Sequence, residues 1–143
     1  MIFLSFCRVS AQGIRDFIIH ENDTVNKIDY FNLKQGKWVF FLKDDFVSEL
    51  KFYKKNQVTA KGFYTNSFKT GKWIYNYPDG KIKCEIFYSS GIPNGDYKFY
   101  DEKGKVTESG VQKNGEWTDC RDINGNKKNV NYFSKSKQCF FLL

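Results

Sequence analysis

Apolar and polar residues alternate along most of this chain in short segments bounded by Gly, Asn, Asp or Ser. Trp38, Phe40 and Leu42 fall on one side of an extended strand, Val39 and Phe41 on the other. Trp73, Tyr75 and Tyr77 share a side, as do Tyr97 and Phe99. A period of two marks half-buried strands. It predicts returning strands over 46–53, 57–64, 81–88 and 106–111. Turns are expected at Asp44-Asp45, 54–56, 65–67, Pro78-Asp79-Gly80, Ser90-Gly91, Pro93-Asn94-Gly95, Lys103-Gly104 and Asn114-Gly115, where the residue types suit tight turns. In the lead-in, Phe17-Ile18-Ile19 predicts a short strand and Asn22-Asp23-Thr24 a turn.

A phrase recurs on this alternation: Gly, one polar residue, then a large ring. It stands at Gly36-Lys37-Trp38, Gly71-Lys72-Trp73, Gly95-Asp96-Tyr97 and Gly115-Glu116-Trp117. Two Gly-Lys pairs, Gly80-Lys81 and Gly104-Lys105, follow the second and third copies. The strands align as well, since Val58-Thr59-Ala60-Lys61-Gly62 matches Val106-Thr107-Glu108-Ser109-Gly110, and Glu49 and Glu85 each precede an aromatic (Phe52, Tyr88) by three residues. The ring anchors are spaced by 35, 24 and 20 residues. The long first interval is read as holding a degenerate copy near Gly62. A period of this size marks an array in which each unit buries its rings against its neighbours. The expected fold is all-β, an elongated open array of antiparallel β-hairpins. Its repeat residues are Gly36, Trp38, Gly71, Trp73, Gly80, Tyr88, Gly95, Tyr97, Gly104, Gly115 and Trp117.

On these residues, with Ile82, Glu85, Gly91, Asn94, Lys105, Gly110 and Asn114, the stretch 28–118 resembles the variant MORN repeats (membrane occupation and recognition nexus) of bacterial proteins often labelled as antitoxins. The lead Leu33-Lys34-Gln35-Gly36-Lys37-Trp38 is similar to the opening of exported members. The resemblance implies the open hairpin sheet. Its functional implications are an antitoxin role or a membrane-surface role, and it implies no catalytic residue. The unit around 44–70 departs from the pattern by lacking Gly at its first turn, and 121–143 does not match it.

Composition refines this picture. The 143 residues suit one domain. Aromatics at 19% exclude a disordered chain, and the mean hydropathy of −0.59 fits strands with one wet face. The formal charge of +7 and a pI near 9.2 favour acidic partners. The lysines are dispersed, however, and alternate with rings (Lys81, Lys83, Lys98), as on a solvated sheet face.

The expected organisation is a signal peptide over 1–11, a lead-in over 12–27, the repeats over 28–118 and a tail or cap over 119–143. The apolar run from Ile2 to Cys7 followed by Val9-Ser10-Ala11 suits a signal peptidase, although no basic residue precedes it; a buried first strand is the other reading. In an oxidising compartment Cys120 and Cys139 are candidates for a bridge that fastens the tail, while Cys84 alternates with Ile82 and Ile86 as a small core residue. The tail offers a turn at Asn124-Gly125 and strands over 130–133 and 139–142.

Catalysis needs converging groups, and the sequence supplies few. His20 is the sole histidine, and no nucleophile, P-loop or dinucleotide motif is present. Asp44-Asp45 and Asp101-Glu102 are acidic pairs at expected hairpin tips. No cofactor and no metal are expected. The function expected is a non-catalytic, exported module for a protein or cell-surface partner. An antitoxin-like protein or an anionic-lipid-binding module is the alternative. Stacked rings with lysines also suit nucleic acid, which the exported leader disfavours. An exported chain processed after Ala11 is expected to give an intact mass beginning at Gln12; secreted material retaining Met1 would refute the leader.

Overall fold

In a computed structural model, residues 13–41 and 57–128 are described. Among them the chain is all-β: nine antiparallel strands form one open sheet in strict sequence order, with no helix. They are β1 (Ile14–His20), β2 (Asp23–Asp29), β3 (Lys34–Phe41), β4 (Val58–Thr65), β5 (Phe68–Asn76), β6 (Ile82–Ser89), β7 (Ile92–Tyr100), β8 (Val106–Lys113) and β9 (Glu116–Asp122). The lead-in is therefore no separate segment, because β1 and β2 begin the same sheet. The segments expected over 46–53 and at Asp44-Asp45 and 54–56 lie outside the described residues, as do residues 1–12 and the tail from 129 onward.

The strands are joined by two kinds of turn. Four hairpins close in two residues: Glu21-Asn22, Asn66-Ser67, Ser90-Gly91 and Asn114-Gly115, the last three at the same end of the sheet. All eight have positive φ, between 49° and 85°, as type I′ turns require. The same five-residue loop recurs at 77–81, 101–105 and 122–126 at the opposite end, and at 29–33 beside the Asn66-Ser67 turn. In each, the first residue's N–H donates to the fifth carbonyl and the fourth N–H donates to the first carbonyl. Asn32 takes, at φ 63°, the place that Gly80, Gly104 and Gly125 hold in the other three. The turn expected at Pro93-Asn94-Gly95 is not one. Those residues lie inside β7, and Asn22-Asp23-Thr24 gives way to a turn one residue earlier.

The recurring phrase has a specific task. Lys61 to Phe63 of β4 is matched by Thr70 to Ile74 of β5, and Ile86 to Tyr88 of β6 by Pro93 to Tyr97 of β7. The odd strand thus carries a bulge of two extra residues, with Gly71 or Gly95 inside it at φ 64° or 127°. The bulge advances the following ring over the neighbouring strand. Trp73 consequently lies across Gly62 of the preceding strand, where an added Cβ would run into the indole. Gly110 differs: it is the direct ladder partner of Tyr97 on the following strand, and an added Cβ would meet the Asp119 carbonyl first and then the Tyr97 ring. The indole N–H of Trp73 donates to the Phe63 carbonyl at 3.1 Å, where the bulge interrupts the ladder.

Register corrects two readings of the repeat. Trp38 faces Gly62 directly, and β3 pairs with β4. Gly62 therefore belongs to the unit that Trp38 opens and not to a copy of its own, while residues 42–56 of the interval lie outside the described residues. The fourth phrase is also out of phase. The N–H groups of Ser67, Gly91 and Gly115 donate to the carbonyls of Lys34, Lys69 and Pro93. Gly115 is therefore the counterpart of the turn residue Gly91, not of the bulge glycine Gly95. Trp117, facing Gln112 as Lys69 faces Tyr64, stands at the Lys69 position.

One face of the sheet is the core. Trp38, Ala60, Tyr64, Trp73, Tyr75, Cys84, Ile86, Tyr88, Tyr97, Phe99 and Cys120 form a continuous buried cluster, with Ile28, Phe40 and Trp117 packed against it. Ring contacts chain along it: Phe40 to Trp73 at 6.0 Å, Tyr64 to Trp73 at 5.0 Å, Trp73 to Tyr88 at 6.3 Å and Tyr97 to Trp117 at 4.5 Å between centroids. Trp73→Ala is expected to cost about 3–5 kcal/mol in urea unfolding, and the half-buried Trp117→Ala less. Gly71→Ala, with open space around it, is expected to cost about 1–2 kcal/mol for its left-handed backbone. Gly110→Ala is expected to cost more than Gly71→Ala, because its Cβ would meet the backbone carbonyl of Asp119.

Candidate interaction surface

The two faces differ in chemistry. On the inner face, the expected repeat residues Trp38, Trp73, Tyr88 and Tyr97 are buried rings. Gly36, Gly71 and Gly95 lie within strands just before a ring, Gly80 and Gly104 close five-residue loops, and Gly115 closes a two-residue turn. Cys84 and Cys120 are buried; Cys139, the expected partner of Cys120, lies outside the described residues. His20 ends β1 with its ring edge-on to Phe41 at 4.9 Å.

The alternation pattern does not single out two inner-face lysines. Lys34 and Lys69 each stand four residues before a tryptophan. Lys34 Nζ lies 4.7, 5.5 and 5.0 Å from the ring centroids of Trp38, Phe40 and Tyr64. Lys69 Nζ lies 4.6, 5.3 and 5.3 Å from those of Trp73, Tyr75 and Tyr88, and donates to the Tyr75 hydroxyl at 2.9 Å. Ring faces attract an ammonium that has lost part of its water. Burial, and then the charge of Lys34, pull the Lys69 ammonium below its ordinary pKa. The hydroxyls of Tyr75 and Tyr88 are 3.1 Å apart, and burial above all pushes Tyr75 upward. The third unit has Pro93 at the lysine position and Gln112 at that of Tyr64 and Tyr88. It buries Glu108 where the others have Ala60 and Cys84, within 3.3 Å of the Tyr97 hydroxyl.

The outer face carries the candidate contact surface. Phe63 of β4 and Phe87 of β6, 24 residues apart, are 52% and 37% exposed. Phe68 and Ile92 repeat the same interval beside the two-residue turns and are exposed as well. Corresponding side chains two strands apart are separated by about 10 Å. Lysines interleave with them: Lys37 faces Phe63 across the ladder, Lys72 faces Phe87, and Lys61 and Lys98 lie one step further along. Lys37 pairs with Asp23 at 2.6 Å and Lys72 with Glu85 at 3.4 Å. The surface is thus apolar at its centre and mostly basic around it. Its sequence signal was the match of Phe63 to Phe87 at the unit period, masked by the attention that buried rings attract.

The loop carboxylates hold the five-residue loops together. Asp29 Oδ1 accepts from the N–H groups of Phe31 and Leu33, and Oδ2 from the side-chain amide of Gln35, all at 2.9 Å. Asp101 and Asp122 each accept two backbone N–H bonds in the same way. The acidic pair at Asp101-Glu102 is therefore turn chemistry. Burial acts to raise the Asp29 pKa, but the three hydrogen bonds outweigh it and the net shift is downward. Among the described residues, no group of three or more His, Cys, Asp and Glu side chains converges as metal ligands, and no helix is long and apolar enough to cross a membrane.

A carboxylate whose pKa is lowered on folding stabilises above its ordinary value of 3.8, and this contribution is lost as pH falls through the lower folded value. Acid unfolding is therefore expected to steepen below pH 3.8, and Asp29→Asn is expected to flatten that dependence in urea melts taken across it. No protein-family model, no curated protein and no solved structure matches this chain.

Proposed function

We propose that the chain is a non-catalytic interaction module whose outer sheet face binds a protein or cell-surface polymer. The observation that carries this reading is the repeated exposure of Phe63, Phe87, Phe68 and Ile92 among lysines, while the other face is consumed by the core. Exposed apolar side chains in a contiguous row, rimmed by charge, favour association over solubility. The basic rim selects a partner of acidic character. The similarity to MORN repeats agrees with a binding role, and the Val9-Ser10-Ala11 pattern agrees with export. An antitoxin role rests on how similar proteins are labelled and would require the chain to stay in the cytosol of its own cell.

A second reading draws on the same lysines: apolar side chains flanked by ammonium groups suit an anionic lipid surface. The two readings separate by experiment. The chain is used to capture partners from cell extract and, in parallel, is floated with anionic liposomes at low and high salt. A salt-resistant protein partner supports the module reading; salt-sensitive flotation alone supports lipid. The double substitution Phe63→Asp/Phe87→Asp is expected to weaken capture at least about tenfold, or about 1.4 kcal/mol, and to leave the melting temperature nearly unchanged. Undiminished capture would remove the outer face from the proposal.

A further inference from the structure

Lys34 and Lys69 occupy the same position in consecutive units, on the inner face, two strands apart. Each ammonium is drawn over three rings. Among the described residues neither has a carboxylate within salt-bridge distance, although Lys37, Lys72 and Lys81 on the same chain each have one. The rings offset part of the lost hydration, but they cannot neutralise two like charges that sense one another. Among the described residues one ammonium donor is committed to a protein atom, from Lys69 to the Tyr75 hydroxyl. An ammonium has three donors, so most remain to be used. Both residues are only half-buried, so solvent reaches them.

We infer that Lys34 and Lys69 together form a binding site for a small dianionic oxyanion of the phosphate or sulfate class. Side chains rooted about 10 Å apart can converge on one such anion, each giving it charge-assisted hydrogen bonds. The bulge and turn set the spacing. Lys69 belongs to the strand entered from the Asn66-Ser67 turn, and the Ser67 N–H is fastened to the Lys34 carbonyl at 3.0 Å. The site cannot recur in the next unit, which has Pro93 in place of the lysine. The array therefore carries one such site between its first two phrases.

The test is a titration of the full chain with inorganic phosphate, read by the lysine Hε–Cε resonances in NMR, with chloride at matched ionic strength as the control. Lys34 and Lys69 are expected to shift together and saturably in the millimolar range while the exposed lysines stay in place. Lys34→Met is expected to weaken the Lys69 response at least tenfold, and Lys34→Arg, which keeps the charge, to retain it. Circular dichroism verifies that both variants keep the sheet. Equal shifts at all lysines, or a Lys69 response unchanged in Lys34→Met, would mean an adventitious ion only and would overturn the site. Phe63→Asp/Phe87→Asp should leave the titration unchanged, so failure here is separable from failure of the outer-face reading.

Discussion

Among the described residues no second layer covers the apolar face of the sheet, so each strand lends its rings to the next. The contact on which this depends is Trp73 laid across Gly62. A side chain at that glycine would lift the indole off the backbone and expose the core beneath. The bulge that carries Gly71 or Gly95 is the device that swings the ring into place. Ring, bulge and bare glycine therefore form one mechanical unit, and none of the three is useful alone.

Much of this was legible from the chain. Period-two alternation identified β3 to β8, and the turn residues identified both kinds of hairpin. The pairing of Val58–Gly62 with Val106–Gly110 survives at atomic detail: Ala60 and Glu108 face Phe40 and Phe99, and the Thr59 and Thr107 hydroxyls donate to those two carbonyls. Phase was harder to read. Glycine has several uses, and the letters cannot distinguish a bulge glycine from a turn glycine. Gly115-Glu116-Trp117 therefore mimicked a phrase from which it is displaced. Trp117 nonetheless reaches Tyr97 and Phe99 from a position four residues earlier in the unit, so a different backbone site delivers a ring to similar neighbours. The Pro93-Asn94-Gly95 error has the same origin, because bulges and turns draw on the same residues. β1 was expected only as a short strand because its residues are exposed on both sides and alternate weakly.

The surfaces were less visible than the fold. Burial selects for rings, so an abundance of rings hides the few that stay outside, and Phe63 and Phe87 differ from Tyr64 and Tyr88 by a single step in the strand. Lys34 and Lys69 were hidden for the opposite reason. A lysine between strands reads as a solvated residue, and only the third dimension shows it folded over three rings. The inner face therefore holds charge inside the structural core, while the outer face offers apolar surface to solvent.

Strict sequence order in the sheet has a consequence for how the chain is made. Among the described residues each strand pairs with the described strand before it, and strand contacts run mainly between such neighbours. A nascent chain emerging residue by residue can complete each hairpin without waiting for a distant partner, and loop-closure entropy stays small at every step. The growing edge passes from strand to strand during synthesis, and each newly laid strand covers the edge exposed by its predecessor.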